Sequence, residues 1–346
     1  MAQEHSLAMG REVMDRLPVL LADLLDEDDL RIVEEPPDRH IDARFTDSAG
    51  REWVVQAKPT VSPGHVVEAA QRQQDLAGGD GIPLLVVPFM TAGAAKVADE
   101  KGVNWIDLAG NARIRHEDLF VFVEGRPNPY RSPGRPSTPF APKSARITRV
   151  MLSDPGRWWR QRDLAAETGL DDGSVSRVVR RLVDLALVTR RDREYRPRDP
   201  SLLLAAWADE YRLDRHDVVM AHLTGGGVDA ARRLEAALRG IGVEHAFTGL
   251  SAAWALDHFA RFRMTSVYVS GDPRKAVDQL ELRRAPQGGN IQLIGPNDAG
   301  VFIGSAVHDG LTCVAPVQAY LDLRHLPERA EEAAEHLRSR HLRWDG

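Results

Sequence analysis

Apolar residues recur along the first part of the chain with two different periods. One face of a predicted N-terminal helix carries Val13, Leu17, Leu20, Leu21, Leu24 and Leu25. Alternating positions around Ile41–Phe45 and Trp53–Ala57 predict two strands, and the apolar run IPLLVVPF predicts a strand covered on both faces. A turn is expected between the first two strands, and helical patterns (HVVEAAQRQQDLA and TAGAAKVADEKG) lie before and after the apolar run. The strand VNWIDLA follows, so this part of the sequence predicts a layered α/β unit.

Six prolines between Arg126 and Pro142 interrupt the pattern. Because proline cannot continue a helix or a central strand, this segment predicts an extended linker. A second boundary is expected near Arg196–Pro200, where a charged strand gives way to an apolar helix. The predicted divisions are therefore residues 1–125, a linker at 126–142, a central module at 143–199 and a C-terminal α/β part at 200–346.

The central module reads as three helices followed by a β-hairpin. A first helix begins near Lys143, Leu164 and Ala165 anchor a second, and Gly169 is expected to end that helix in the left-handed conformation. Asp172 or Ser174 is expected to cap the third helix. Its buried face is predicted to carry Val175, Val178, Val179, Leu182 and Leu185. Helix, turn, helix and hairpin in this order predict a winged helix-turn-helix.

The charge distribution distinguishes this module from the rest of the chain. The segment from Lys143 to Arg198 holds 14 Lys or Arg against 8 Asp or Glu, whereas the whole chain has a net charge of −6. A compact basic segment in an acidic protein favours a nucleic-acid contact over a general surface charge. A winged fold used only for protein contacts is the alternative.

The stretch SVSRVVRRLVDLALV resembles the recognition helix of MarR- and AbiEi-type bacterial regulators. In a winged helix-turn-helix this helix enters the major groove, and the hairpin reaches the phosphate backbone. The residues expected to contact double-stranded DNA are Arg160, Arg162, Ser174, Ser176, Arg177, Arg180, Arg181, Arg190, Arg191 and Arg193.

A second candidate site lies in the first part of the chain. Asp42 on one predicted strand and Gln56-x-Lys58 on the next resemble the metal site of PD-(D/E)xK nucleases, with glutamine in place of the second acid. Glu12 on the first helix would supply another carboxylate. The resemblance implies a restriction-endonuclease-like α/β fold in which Asp42, Gln56 and Glu12 hold Mg²⁺ and Lys58 assists catalysis.

Three interpretations of that site remain open. The missing acid favours an inactive nuclease-like domain that has no catalytic residues, no metal and no cofactor. An active Mg²⁺-dependent endonuclease is the second, and an accidental pattern is the third.

The C-terminal part carries two resemblances. FTGLSAAWAL resembles the opening of nucleotidyltransferase-like folds, but the following strand MTSVYVS lacks their paired acids, so a silent copy is expected. APVQAYLDLRHLPERAEEAAEHLR resembles the end of AbiEi-family antitoxin regulators, and WIDLAGN (Trp105–Asn111) is similar to strings in the same family.

The sequence as a whole predicts an α/β multidomain transcriptional regulator. A repressor of a toxin–antitoxin, defence or stress-response locus is expected, acting as a homodimer on double-stranded DNA. The alternative is a site-specific endonuclease that uses the N-terminal domain. Single-stranded nucleic acid or a small-molecule effector is a possible further partner. The single cysteine and the lack of a long apolar stretch predict a cytoplasmic protein with no membrane contact.

Overall fold

The computed structural model describes residues 2–25, 32–34, 41–76, 81–117, 119–130, 138–259, 261–326 and 330–344. The chain divides into two compact units, of which the first is Met1–Pro136 with Val183–Leu187 and the second is Ser137–Leu182 with Val188–Gly346. Apart from Val183–Leu187, the central and C-terminal parts of the sequence therefore fall within the same unit. The middle of the proline-rich linker, residues 131–137, lies outside the described residues.

The described residues of the first unit form three helices and seven strands. The helices are α1 (Ala2–Leu25), α2 (Pro63–Leu76) and α3 (Ala92–Lys101). The strands are β1 (Ile32–Glu34), β2 (Ala43–Thr46), β3 (Glu52–Ala57), β4 (Ile82–Val87), β5 (Trp105–Asp107), β6 (Ala112–His116) and β7 (Leu119–Val123).

These strands form one mixed sheet in the order β1-β2-β3-β4-β5-β6-β7. The three central strands β3, β4 and β5 run parallel, and the other neighbours are antiparallel. Parallel neighbours need a crossover, which α2 and α3 provide. The apolar run in β4 is buried on nearly every position, as its sequence predicts.

The core of the first unit lies between α1 and the sheet. Val13, Leu17 and Leu21 of α1 are fully buried and pack against Phe45 and Trp53, whose rings stack with centroids 5.6 Å apart. The helical face predicted from the sequence is therefore the face that α1 buries. The order of α1, β2, β3, α2, β4, α3 and β5 is also the order that the sequence predicts.

The string IDLAGN forms a buried turn between β5 and β6. Asp107 is fully buried, and its carboxylate accepts hydrogen bonds from the backbone N–H of Asn111 (2.9 Å), the Asn111 side chain (2.9 Å) and the backbone N–H of Met90 (3.0 Å). Gly110 has a φ of 87°, which favours glycine. A Cβ at Gly110 would collide with the Arg126 guanidinium. The geometry of this turn therefore accounts for Asp107, Gly110 and Asn111 in the string.

We expect Asp107→Ala to destabilise the first unit by ~2–4 kcal/mol, because buried N–H groups lose their acceptor. Faster hydrogen–deuterium exchange of the β4 and β5 amides would report the loss. The control is Glu100→Ala at an exposed position of α3, which should change stability by less than ~0.5 kcal/mol. Equal exchange in both variants would contradict the structural role of the carboxylate.

The second unit begins with the winged module. Its helices are α4 (Ala145–Ser153), α5 (Gln161–Thr168) and α6 (Asp172–Asp184), and its strands are β8 (Trp159–Arg160), β9 (Val188–Arg191) and β10 (Glu194–Pro197). The three strands form an antiparallel sheet in the order β8-β10-β9. This module is a winged helix-turn-helix, as the sequence predicts.

The rest of the second unit is an α/β fold around a seven-stranded sheet of order β14-β11-β15-β13-β12-β17-β16. The strands are β11 (Asp217–His222), β12 (His245–Thr248), β13 (Thr265–Val269), β14 (Arg283–Arg284), β15 (Ile291–Gly295), β16 (Ala306–His308) and β17 (Leu311–Cys313). The helices are α7 (Pro200–Glu210), α8 (Gly227–Gly240), α9 (Gly249–Asp257), α10 (Pro273–Gln279), α11 (Pro316–Leu323) and α12 (Ala330–His341). Cys313 is buried, as its apolar surroundings predict.

Asp322 on α11 is a carboxylate enclosed in the second unit. It is fully buried and accepts hydrogen bonds from Thr248 Oγ1 (2.5 Å), Tyr211 Oη (2.5 Å), Tyr268 Oη (3.0 Å) and Gln318 Nε2 (2.9 Å). Burial raises the pKa of Asp322 to about 6, and the four donors oppose that rise. These hydrogen bonds connect the carboxylate to four parts of the fold. Tyr211 directly follows α7, Thr248 directly precedes α9, Tyr268 lies on β13, and Gln318 lies on α11.

Arg149 joins the first helix of the winged module to this network. Its side chain is buried, donates through Nη2 to Gln318 Oε1 at 2.5 Å, and lies over the Trp207 ring at 5.1 Å from the centroid. On the same helix, Arg146 binds Asp298 through Nε (2.7 Å) and Nη2 (2.9 Å). Two arginines of α4 therefore hold the winged module against the C-terminal α/β part.

His216 extends the network in its neutral form. Its Nδ1 accepts the backbone N–H of Asn297 at 3.1 Å, which leaves the proton on Nε2, 3.1 Å from Tyr211 Oη. Burial and the positive charge of Arg149 lower the pKa of His216 to about 4. Protonation of Nδ1 would also place an N–H donor against the backbone N–H of Asn297, so the charged form of His216 is further disfavoured.

The stability of the second unit should therefore depend on pH through His216. The folded state binds fewer protons than the unfolded state between the ordinary pKa of 6.5 and about 4, so stability falls as the pH drops through that window. The full effect is about 3 kcal/mol. Urea denaturation at several pH values should show a shallower acid loss in His216→Gln. Asp322 titrates in both proteins, so identical slopes would contradict the assignment to His216.

Candidate nucleic-acid interface

The turn between α5 and α6 is built as the sequence predicts, with one correction. Gly169 ends α5 in the left-handed conformation (φ 66°, ψ 22°), and its N–H donates to Ala165 O at 2.9 Å. The expected cap at Asp172 or Ser174 is wrong, because both residues lie inside the first turn of α6. The cap is Asp171, whose carboxylate accepts the backbone N–H of Ser174 at 2.8 Å.

Helix α6 is sharply divided between an apolar face and a cationic face. Val175, Val178, Val179 and Leu182 are buried, as expected, and Leu185 after the helix is buried too. Arg177 and Arg180 are exposed on the other side, whereas Ser174, Ser176 and Arg181 are partly buried. The helix therefore presents two arginines one turn apart on its solvent face.

The two exposed arginines of α6 differ in how they are held. Arg177 Nη2 lies 3.3 Å from Ser174 Oγ, which itself donates to Asp171 at 2.7 Å. These Ser174 hydrogen bonds are the main reason that the pKa of Asp171 is lowered. Among the described residues, no hydrogen bond or ion pair engages the Arg180 side chain. Arg177 is positioned by the cap of its own helix, and Arg180 projects into solvent.

The β9–β10 hairpin places its arginines at an exposed tip. Arg190, Arg191 and Arg193 are all exposed, and Arg190 Nε donates to Asp192 O at 2.8 Å. Asp192 has a φ of 55°, which turns the chain between the two strands. This hairpin is the wing that the sequence predicts, with its cationic side chains facing solvent.

Trp158, which immediately precedes β8, packs against the wing and was missed by the sequence reasoning. The guanidinium groups of Arg191 and Arg196 lie over its ring, at 4.5 Å and 4.6 Å from the centroid. Its neighbour Trp159 is buried and donates through Nε1 to Asp154 O at 3.3 Å. The pair Trp158-Trp159 beside a basic segment is the available signal, because adjacent side chains of an extended chain point to opposite sides and only one of the two can join the core.

Arg160 and Arg162 have acidic neighbours that reduce their free positive charge. Arg160 Nε lies 3.1 Å from Glu194 Oε1 across the β8–β10 pair, and Arg162 Nε lies 3.5 Å from Asp163 Oδ1. Both arginines remain largely exposed. Arg191 Nη2 of the wing also lies 3.9 Å from Glu194 Oε2. The cationic surface of the module is therefore strongest along α6 and at Arg190 and Arg193 of the wing tip.

In the first unit, Asp42 and Lys58 are neighbours. Asp42 Oδ2 accepts the backbone N–H of Ala57 at 2.8 Å, just before Lys58 at the end of β3. Burial and the nearby Arg72 lower the pKa of Lys58, whereas Glu68 and Asp42 oppose the shift. The structure thus brings together the expected acid and lysine.

The other two expected ligands, Glu12 and Gln56, differ from each other in chemistry and in surroundings. Glu12 on α1 lies 3.9 Å from Arg16 and interacts with Tyr130, and Gln56 offers only a neutral oxygen on half-buried β3. Across the described ranges, no three His, Cys, Asp or Glu side chains gather into a possible metal site. Mg²⁺ in proteins is held by one or two carboxylates together with waters and substrate phosphates, and the carboxylate that the structure places beside Lys58 is that of Asp42.

Residues 151–196 match the MarR family. The match spans α5, α6 and both strands of the wing, and it supports a DNA-binding transcriptional regulator. The matched segment includes the exposed arginines of α6 and of the wing. The matched segment is a small part of the chain, so the whole protein is not assigned to that family.

Comparison with solved structures gives one relative at low similarity. A repair endonuclease from Pyrococcus abyssi is 22% identical over 28% of this chain and 46% of that chain, with a TM-score of 0.22. This chain therefore spans less than half of the endonuclease, and a TM-score of this size supports no inference about fold or activity. No curated protein matches the chain. No helix in the described part of the chain is both long and apolar enough to cross a membrane.

Proposed function

We propose that this protein is a sequence-specific transcriptional regulator that inserts α6 into the major groove of double-stranded DNA. The observation that carries the proposal is the cationic face of α6 beside an arginine-tipped wing. An α-helix fits the major groove, where arginine reads guanine through its O6 and N7 atoms. The MarR match over 151–196 supports the same function.

Each part of the surface has its own role in this proposal. Arg177 and Arg180 contact base edges or phosphates from α6, with Ser174, Ser176 and Arg181 around them. Arg190, Arg191 and Arg193 contact the phosphate backbone from the wing, and Arg160 and Arg162 contribute at its edge. Phosphate contacts set the register of the protein on the duplex, and base contacts supply the specificity.

We further propose a homodimeric repressor that binds a pseudo-palindromic site. Winged regulators that carry one recognition helix per subunit commonly use two half-sites about one helical turn apart. The resemblances of the C-terminal segment and of IDLAGN to AbiEi-type regulators motivate a toxin–antitoxin, defence or stress-response locus. The cytoplasmic location and a possible single-stranded nucleic-acid partner remain predictions.

Arg177→Ala and Arg180→Ala should each weaken binding to a duplex selected from a random-sequence pool. We expect a loss of ~1–3 kcal/mol where the arginine reads a base. An arginine that contacts only phosphate should instead reduce the slope of log K against log salt by about 1. Fluorescence anisotropy at several salt concentrations measures both quantities.

The matched control is Arg263→Ala, which removes an exposed arginine outside the winged module. It should leave both affinity and salt slope unchanged. Wild-type affinity in both α6 variants would contradict the placement of α6 in the groove. An equal loss of affinity in the control would show that the effect comes from the overall charge of the protein and not from the position of the arginines on α6.

The endonuclease alternative has its own test. Because Asp42 and Lys58 adjoin without a full set of acidic ligands, we expect no cleavage of plasmid or labelled duplex in Mg²⁺ or Mn²⁺. Cleavage that disappears in both Asp42→Ala and Lys58→Ala would establish the enzyme and overturn this expectation. Cleavage that persists in both variants would indicate a contaminating nuclease.

A further inference from the structure

The β6–β7 hairpin of the first unit has an inner face and an outer face, because successive strand residues point to opposite sides of a sheet. Ile114 of β6 is fully buried, and Leu119 and Val121 of β7 pack against the core. Strand β7 is the last strand of the sheet. The residues on the outer face are Arg113, Arg115, Phe120 and Phe122.

The two phenylalanines of this outer face are open to solvent. Phe120 is 60% exposed and Phe122 is 49% exposed. They are the only exposed phenylalanines in the part of the chain that the structure describes. Their rings are neighbours, with centroids 6.4 Å apart and planes 16° from parallel. Apolar surface left in water costs free energy, so two adjacent exposed rings on an edge strand indicate a contact surface.

Each of these rings has an arginine beside it on β6. The strand register pairs Arg113 with Phe122 and Arg115 with Phe120. The guanidinium of Arg113 lies 5.2 Å from the centroid of the Phe122 ring, and that of Arg115 lies 5.5 Å from the centroid of the Phe120 ring. A positive charge is therefore held next to each ring.

Acidic residues around the outer face limit its attraction for phosphate. Asp99 of α3 forms an ion pair with Arg113, and Glu117 and Glu124 lie exposed at the two ends of the face. Arg115 is exposed and, within the described residues, its guanidinium contacts Phe120 and forms no ion pair. The face therefore offers open aromatic rings beside Arg115, and it is not a broad basic patch.

Unpaired nucleobases fit this combination of side chains. Every base has a flat π-face that stacks on an aromatic side chain, whatever the sequence of the strand. The same nucleotide carries a phosphate, which arginine binds through charge-assisted hydrogen bonds. A purely apolar partner would instead bury the guanidinium groups without supplying an acceptor. The bases of a duplex are stacked on one another, so only an unpaired strand can use the rings.

We propose that the outer face of the β6–β7 hairpin binds single-stranded nucleic acid, with unpaired bases stacked on Phe120 and Phe122 and a phosphate beside Arg115. Binding at this face gives the single-stranded partner a place in the first unit, and it does not rest on duplex binding by α6.

Fluorescence anisotropy of the full chain with labelled oligothymidine and oligouridine tests the site. A strand of the same length without bases is the matched probe, because it keeps the phosphates and removes the stacking. We expect an oligonucleotide to bind and the abasic strand to bind at least ~5-fold more weakly. The tighter of the two oligonucleotides identifies DNA or RNA as the partner.

Substitutions of exposed residues assign the binding to the hairpin. Phe120→Ala and Phe122→Ala should each weaken oligonucleotide binding by at least ~5-fold, because base–aromatic stacking is lost. Phe120→Tyr keeps the ring and should bind like the wild type. Val19→Ala, which removes an exposed apolar side chain from α1 of the same unit, should also leave the affinity unchanged.

Salt dependence separates this site from a general attraction to polyanions. For single strands, log K falls with log salt by about 0.7 for each neutralised phosphate, so Arg115 alone predicts a slope of about −0.7. Arg115→Ala should bring that slope close to zero, while stacking on the rings preserves part of the affinity.

Three outcomes would overturn the proposal. The first is that neither oligonucleotide binds the wild-type protein. The second is that Phe120→Ala and Phe122→Ala bind as tightly as the wild type. The third is that binding disappears in the Arg177→Ala/Arg180→Ala double variant, because the winged module would then be the site.

Sedimentation velocity identifies the competing occupant of this face, a second copy of the chain. A dimer that is lost in Phe120→Ala and Phe122→Ala, together with no oligonucleotide binding, would assign the face to that contact and overturn the proposal. A wild-type protein that binds no duplex contradicts only the function proposed for α6, and leaves each of these results unaffected.

Discussion

The hydrogen bond from Arg149 to Gln318 connects the two halves of the second unit, and much of its interior is arranged around that contact. Gln318 receives the guanidinium on one side and donates to Asp322 on the other. Asp322 in turn fixes Tyr211, Tyr268 and Thr248. Removing one member leaves buried polar groups without partners, so the network strongly favours one relative arrangement of α4, α7 and α11.

The same contact changes how the charge of the winged module should be counted. The sequence assigns an excess of six positive charges to residues 143–198. Arg146 and Arg149 contribute to that count, yet they are directed at Asp298 and Gln318 inside the second unit. Arg160 is paired with Glu194. The charge available to a polyanion is therefore smaller and more localised than the composition suggests, and it is concentrated on α6 and the wing tip.

Local rules account for what could be predicted from the sequence. The helical periodicity of apolar residues predicts α1 and α6. A helix that ends in the left-handed conformation favours glycine, which predicts the end of α5 at Gly169. The continuous apolar run located β4. The cap of α6 was missed because four consecutive residues, Asp171 to Ser174, all suit a helix start, and only the backbone path selects Asp171. Arg149 and Trp158 were missed because their partners lie far along the chain or on a neighbouring strand, where no periodicity connects them.

The stacking of Arg191 on Trp158 has a consequence for the thermodynamics of binding. A free arginine side chain has many rotamers, and docking on a partner costs up to ~2 kcal/mol of conformational entropy. With its guanidinium over an indole ring, Arg191 has already lost part of that freedom in the folded protein. The wing is therefore partly preorganised before it meets a binding partner. Less of the interaction free energy of each contact is then spent on ordering the side chain, and more of it contributes to affinity.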